Sequence, residues 1–153
     1  MVPGDYLGLA HIGSCLSALG RYGEAEQYFT KSLAGLDDAT THYNLGLLMS
    51  MTGRLADAER EYRRALALDP AHADARGNLG PLLVRMGRTR EAAEELRRLV
   101  ADDPENVRAL TNLGVVLLQT GRASDARQYL ERALHRAPEM PQARAALEAL
   151  GAK

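Results

Sequence analysis

The sequence predicts an all-α fold assembled from antiparallel helix pairs, and three observations carry that expectation. Strand formers are scarce: six Val, one Ile and seven aromatic rings stand against 25 Leu and 25 Ala, a balance that favours helices over a pleated surface. Asn44-Leu45-Gly46 recurs as Asn78-Leu79-Gly80 and Asn112-Leu113-Gly114 at intervals of 34 residues, and periods of this length mark repeat architectures. Within each period the apolar residues fall three and four apart on both sides of a second glycine, the spacing of one helix face.

Four units follow, at 6–38, 39–72, 73–106 and 107–140, and together they read as one repeat domain spanning 1–153. In the second, Leu45, Leu48 and Met49 mark one helix, and Leu55, Ala58, Tyr62, Ala65 and Leu66 mark its partner. Gly46 and Ala58 let the two backbones approach, Gly53 supplies the turn between them, and Asp69-Pro70 stops the second helix. The third and fourth units repeat the plan with Gly80, Gly87, Ala92 and Pro104, then Gly114, Gly121, Ala126 and Pro138. The first keeps Gly13, Gly20, Ala25 and Phe29 but has Asp37-Asp38 in place of the proline. In the third unit Pro81 lies inside the first helix, where it cannot donate to the carbonyl of Gly77, so a kink is expected there.

The two ends differ in character. Residues 141–150 read as a capping helix with Pro141 at its first position, an apolar stripe of Ala143, Ala146, Leu147 and Leu150, and Gln142, Arg144 and Glu148 facing away. From Tyr6 to Gly20 there is no Asp, Glu, Lys or Arg. Apolar surface left in water there is unfavourable, so Tyr6, Leu7, Cys15 and Leu19 form a candidate surface for homo-oligomer contact.

Charge and chemistry exclude several functions. Nineteen basic and 20 acidic residues give a net charge of −1, which lacks the pull of a nucleic-acid or anionic-membrane binder. The apolar stretch near the start is too short to span a bilayer and has no basic residues ahead of it. The lone Cys15 cannot close an intramolecular disulfide, and a cytoplasmic location is expected. His11, His42, His72 and His135 share no helix face with ligands at metal-binding spacing, and no glycine-rich phosphate loop follows a strand. No catalytic residue, metal or cofactor is expected.

The repeated residues resemble the tetratricopeptide repeat family over about 135 of the 153 residues. They depart from it where the family's aromatics become Leu9, His42, Arg76 and Leu110 in the first helices, and Leu96 and Leu130 in the last two second helices. The resemblance implies a right-handed superhelical solenoid whose first helices line a concave groove. It places Asn44, Asn78 and Asn112 in that groove, where an asparagine ladder holds a peptide backbone in some members. A side-chain amide both donates and accepts, so it can pair with a peptide unit whatever its side chain. Around the ladder the implied lining includes Ala10, His11, Ser14, Tyr43, Leu47, Met51, Pro81, Arg85, Arg108, Thr111, Val115 and Gln119. The charged clamp with which some members hold a chaperone's C-terminal carboxylate is not matched: from the first repeat it gives Ala10, Ser14, Asn44, Asp74 and Asn78, of which only Asn44 fits.

The function expected is that of a non-catalytic adaptor binding a partner peptide or helix in the groove. Two alternatives are a substrate-delivery module of a larger enzyme, such as a repeat-bearing glycosyltransferase, and a self-assembling scaffold.

Overall fold

The computed structural model describes residues 4–151, and among these it contains nine helices and no strand. They are α1 (Tyr6–Ala18), α2 (Tyr22–Leu33), α3 (Ala39–Met51), α4 (Leu55–Leu68), α5 (Ala73–Arg85), α6 (Thr89–Asp102), α7 (Val107–Gln119), α8 (Ala123–Arg136) and α9 (Pro141–Gly151). No helix among the described residues is long and apolar enough to cross a membrane. The chain forms two compact units, one running to Asn78 and the other beginning at Leu79, inside α5.

Every helix pair is closed by the same turn. Gly20, Gly53, Gly87 and Gly121 have φ of 75, 81, 77 and 75°, a left-handed conformation that costs glycine nothing. In each case the N–H of the following arginine reaches back to a carbonyl of the first helix: Arg21 to Leu16, Arg54 to Met49, Arg88 to Leu83 and Arg122 to Leu117, at 2.8–2.9 Å. These are the bonds of a Schellman closure, which satisfies carbonyls a helix end otherwise leaves open. The same arginine pairs with an acidic residue three positions on, as in Arg21–Glu24 at 2.6 Å and Arg54–Asp57 at 2.9 Å. That acid lies in the first turn of the second helix, where the macrodipole favours negative charge.

First helices begin on a side-chain cap. Asp5 accepts from the N–H of Gly8, Asp38 from Thr41 and Asn106 from Ala109, at 2.8–3.0 Å. Before α5 the role passes to His72, whose Nδ1 accepts from the N–H of Ala75 at 3.3 Å. α5 then runs through Pro81 as one helical element.

The core of each pair is a large side chain seated on a glycine. Phe29, Tyr62, Leu96 and Leu130 are at most 1% exposed, and they face Gly13, Gly46, Gly80 and Gly114 respectively. A Cβ on those glycines would come within 2.6–2.9 Å of the facing side chain. Replacing Gly114 by Ala would also bring its Cβ to 3.3 Å from the Ala126 carbonyl oxygen, so the Leu130 side chain cannot simply be pushed aside. Gly114→Ala is expected to cost about 1–3 kcal/mol, the usual penalty of overpacking. At Gly23 in α2 a Cβ would meet nothing within 4 Å, and Gly23→Ala should stabilise by about 0.5–1 kcal/mol. Thermal unfolding of the two variants checks the pair, and opposite signs are the expected result.

Candidate functional site

Each unit is described separately. In the unit ending at Asn78, α1 and α3 carry no Asp, Glu, Lys or Arg, while the charged residues sit mainly on α2 and α4. Ser14 Oγ donates to the Ala10 carbonyl at 3.1 Å and accepts from Asn44 Nδ2 at 3.4 Å. Asn78 Nδ2 donates to the Tyr43 hydroxyl at 3.2 Å. Tyr43 in turn lies between Tyr62 and His72, with ring centroids 6.1 and 5.0 Å away. Two of the three ladder asparagines are thus half-buried and bonded to a neighbouring first helix.

The side chains lining a recess between α1 and α3 are Ser14, Ser17, Ala18, Phe29, Asn44, Leu47 and Met51. Leu47 is 37% and Met51 57% exposed, both on the uncharged face. His11 is exposed, whereas Ala10 is buried and has little surface to offer a ligand. At the start of the chain Leu7 is 54% and Leu19 72% exposed, and Cys15 is a free, exposed thiol. Tyr6 is differently placed: its carbonyl accepts from Ser32 Oγ at 2.6 Å, and a Cβ on Gly35 would overlap its ring. It is a packing residue between α1 and the end of α2.

In the unit beginning at Leu79, Pro81, Asn112 and Val115 are half-buried, and Arg85, Arg108 and Gln119 are exposed. The Asn112 side chain makes no hydrogen bond among the described residues. Thr111 is 1% exposed, so it belongs to the interior rather than to a lining; its Oγ1 has no hydrogen-bond partner there.

His42 has surroundings that sequence spacing did not reveal. Its Nδ1 lies 2.7 Å from Glu61 Oε2 and its Nε2 2.8 Å from Asp37 Oδ1, from the next helix and the preceding loop. Each ring nitrogen thus faces a carboxylate oxygen. Asp37 also pairs with Arg64, and Glu61 with Arg60. The ring is a clasp joining the loop, α3 and α4. No group of three or more His, Cys, Asp or Glu that could hold a metal occurs among the described residues.

The Arg64 guanidinium first, and His42 second, hold the Asp37 carboxyl below its ordinary value. Arg54 and then Arg60 do the same for Asp57, and Arg21 for Glu24. In each case the folded chain binds fewer protons than the unfolded chain through the acid range, so stability rises with pH there. The contribution is complete above the ordinary carboxylate values near pH ~4 and is lost as pH falls through the folded values. Melting temperature should therefore drop on acidification below about pH 4, and less steeply in Asp37→Asn; a pH series of thermal melts checks this.

Comparison with known proteins places these features. The tetratricopeptide repeat family matches residues 7–71 and again residues 78–141. No curated protein matches in sequence. Among solved structures, one similar in fold is YrrB, described as a TPR protein with an unusual peptide-binding site, at 24% identity and a TM-score of 0.84, covering 96% of this chain and 76% of that one. PilF of Pseudomonas aeruginosa is 27% identical with a TM-score of 0.86, over 95% of this chain and 67% of its own. MamA from Desulfovibrio magneticus is 20% identical with a TM-score of 0.87, over 96% and 84%.

Proposed function

The chain belongs to the tetratricopeptide repeat family of all-α solenoids, and on that premise we propose that it is a non-catalytic adaptor whose first helices hold a segment of a partner polypeptide. A general protein-interaction role goes with the family. The finer reading, recognition of peptide backbone by asparagine, is supported chiefly by Asn44. Its Nδ2 is engaged by Ser14, and its Oδ1 has no partner among the described residues, which leaves an acceptor for a peptide N–H. YrrB, of the same fold, has a peptide-binding site, and its likeness to this chain lends that reading weight. A cytoplasmic setting, compatible with the exposed free thiol of Cys15, is part of the proposal.

The test uses dodecapeptides selected from a random displayed library against the full chain. Replacing Asn44, Asn78 and Asn112 together by Ala should leave helicity nearly unchanged, since Ala is the better helix former. Affinity measured by calorimetry should fall roughly ten- to hundredfold, the worth of one or two hydrogen bonds lost at each end of that range. Equal affinity in the two proteins would leave the asparagines a purely structural role.

A second reading, self-association through α1, is favoured by the exposure of Leu7 and Cys15 on a helix without charge and of Leu19 directly after it. In α3 and α7 the residues matching Cys15, Leu48 and Val116, are at most 3% exposed. Light scattering over a concentration series, with and without reductant, is expected to show a dimer that survives reduction. A monomer throughout would end the idea, and a dimer lost on reduction would reduce it to a Cys15 cross-link.

A further inference from the structure

We infer that the recess between α1 and α3 receives one bulky, uncharged side chain of a partner segment, a Leu, Met or Ile whose backbone N–H is presented to Asn44. This rests on the reading that the first-helix face binds a polypeptide, and it adds what kind of residue that polypeptide must carry there.

Size is the first argument. The recess has a volume of about 260 Å³, below the roughly 300–1,000 Å³ of sites that enclose drug-sized ligands. The recess is too small for a drug-sized ligand and has room for a large aliphatic side chain. Leu47 and Met51 supply apolar wall that is now in water, with Ala18 and the ring of Phe29 also lining the recess. Met51 has an unbranched thioether chain that can adjust to the shape of what enters.

Charge is the second. Neither α1 nor α3 contains an Asp, Glu, Lys or Arg, and the titratable group on α3, His42, is already held by Asp37 and Glu61. A charged side chain entering the recess would give up hydration and find no opposite charge, which is costly. The same absence removes any attraction for a terminal carboxylate.

The polar rim supplies the third. Ser14 Oγ already donates to the Ala10 carbonyl and accepts from Asn44, so it asks little of a ligand. Asn44 Oδ1 is the acceptor left over, placed among the lining residues of the recess. One peptide N–H satisfies it while the side chain of the same residue fills the apolar space. The occupant is therefore an internal, uncharged stretch of chain with one aliphatic anchor.

The test is an amide NMR titration of the full chain with N-acetyl-leucine methylamide and its methionine counterpart, against the alanine, aspartate and lysine counterparts. Saturable shifts are expected at Ser14, Ser17, Asn44, Leu47 and Met51 for the first two probes. Binding of the other three should be at least about tenfold weaker, as loss of a buried aliphatic side chain implies. Leu47→Glu should abolish the shifts with the rest of the spectrum retained. If that variant fails to fold, Ala18→Leu, at an exposed position, should abolish them by filling the recess. Absence of shifts with the leucine probe, or equal response to the aspartate probe, overturns the inference. Library peptides that still bind through the asparagines would then leave the adaptor reading standing. A leucine probe that binds here when no library peptide binds the chain would overturn the adaptor reading and, with it, the assignment of the occupant to a partner segment.

Discussion

The contact on which each helix pair depends is a second-helix side chain resting on the bare Cα of a first-helix glycine. Phe29 on Gly13, Tyr62 on Gly46, Leu96 on Gly80 and Leu130 on Gly114 repeat it four times. With no Cβ in the way, a whole ring or isobutyl group reaches the backbone of the neighbouring helix, and dispersion contacts accumulate across the gap. Two of the four knobs are aromatic and two are leucines, yet all are fully buried. A leucine serves as well as a ring because what is conserved across the four units is the vacancy opposite, not the shape of the group that fills it.

The turn and the start of the second helix are encoded together in five residues, from the glycine to the acid. Glycine takes the left-handed conformation, the next arginine closes the first helix with its N–H, and its guanidinium reaches the acid that begins the second. No side-chain cap is present at Arg21, Arg54, Arg88 or Arg122. The acid in the first turn is the favourable partner left to the open N–H groups of that end. Exposed pairs of this kind contribute little each. Arg54 adds a longer tie by also reaching Glu26 of α2 at 2.7 Å, joining consecutive helix pairs in one unit.

The fold was legible in the sequence because its signals are local and repeated. A glycine every 34 residues, small residues opposite large ones and a proline or aspartate at each unit's end need no knowledge of distant contacts. Side-chain partners were less legible. His42 reads as an ordinary histidine because Asp37 is five residues away and Glu61 nineteen, at no ligand-like spacing. His72 reads the same way, and only the geometry of the bend before α5 makes it a helix cap. Thr111 falls at the position of Tyr43, one residue before the ladder asparagine, but is buried where Tyr43 is half-exposed. A pattern one repeat long predicts the helix face and cannot resolve how far each side chain emerges from it.

Segregation of charge then shapes what the first-helix face can do. In the unit ending at Asn78 the arginine–carboxylate pairs are carried mainly by the second helices, and α1 and α3 contain no Asp, Glu, Lys or Arg. Long-range steering accelerates association when fields of opposite sign meet, and α1 and α3 contribute no Asp, Glu, Lys or Arg to such a field. In the adaptor reading proposed above, recognition there would rest on short-range terms: apolar area removed from water and hydrogen bonds made only on contact. Such terms discriminate by shape and by the presence of an N–H at one place, and they change little with salt. In that proposed reading, the charged second helices meet water while the first-helix face is left free of competing acidic and basic side chains, so the two tasks fall to different helices of the same pairs.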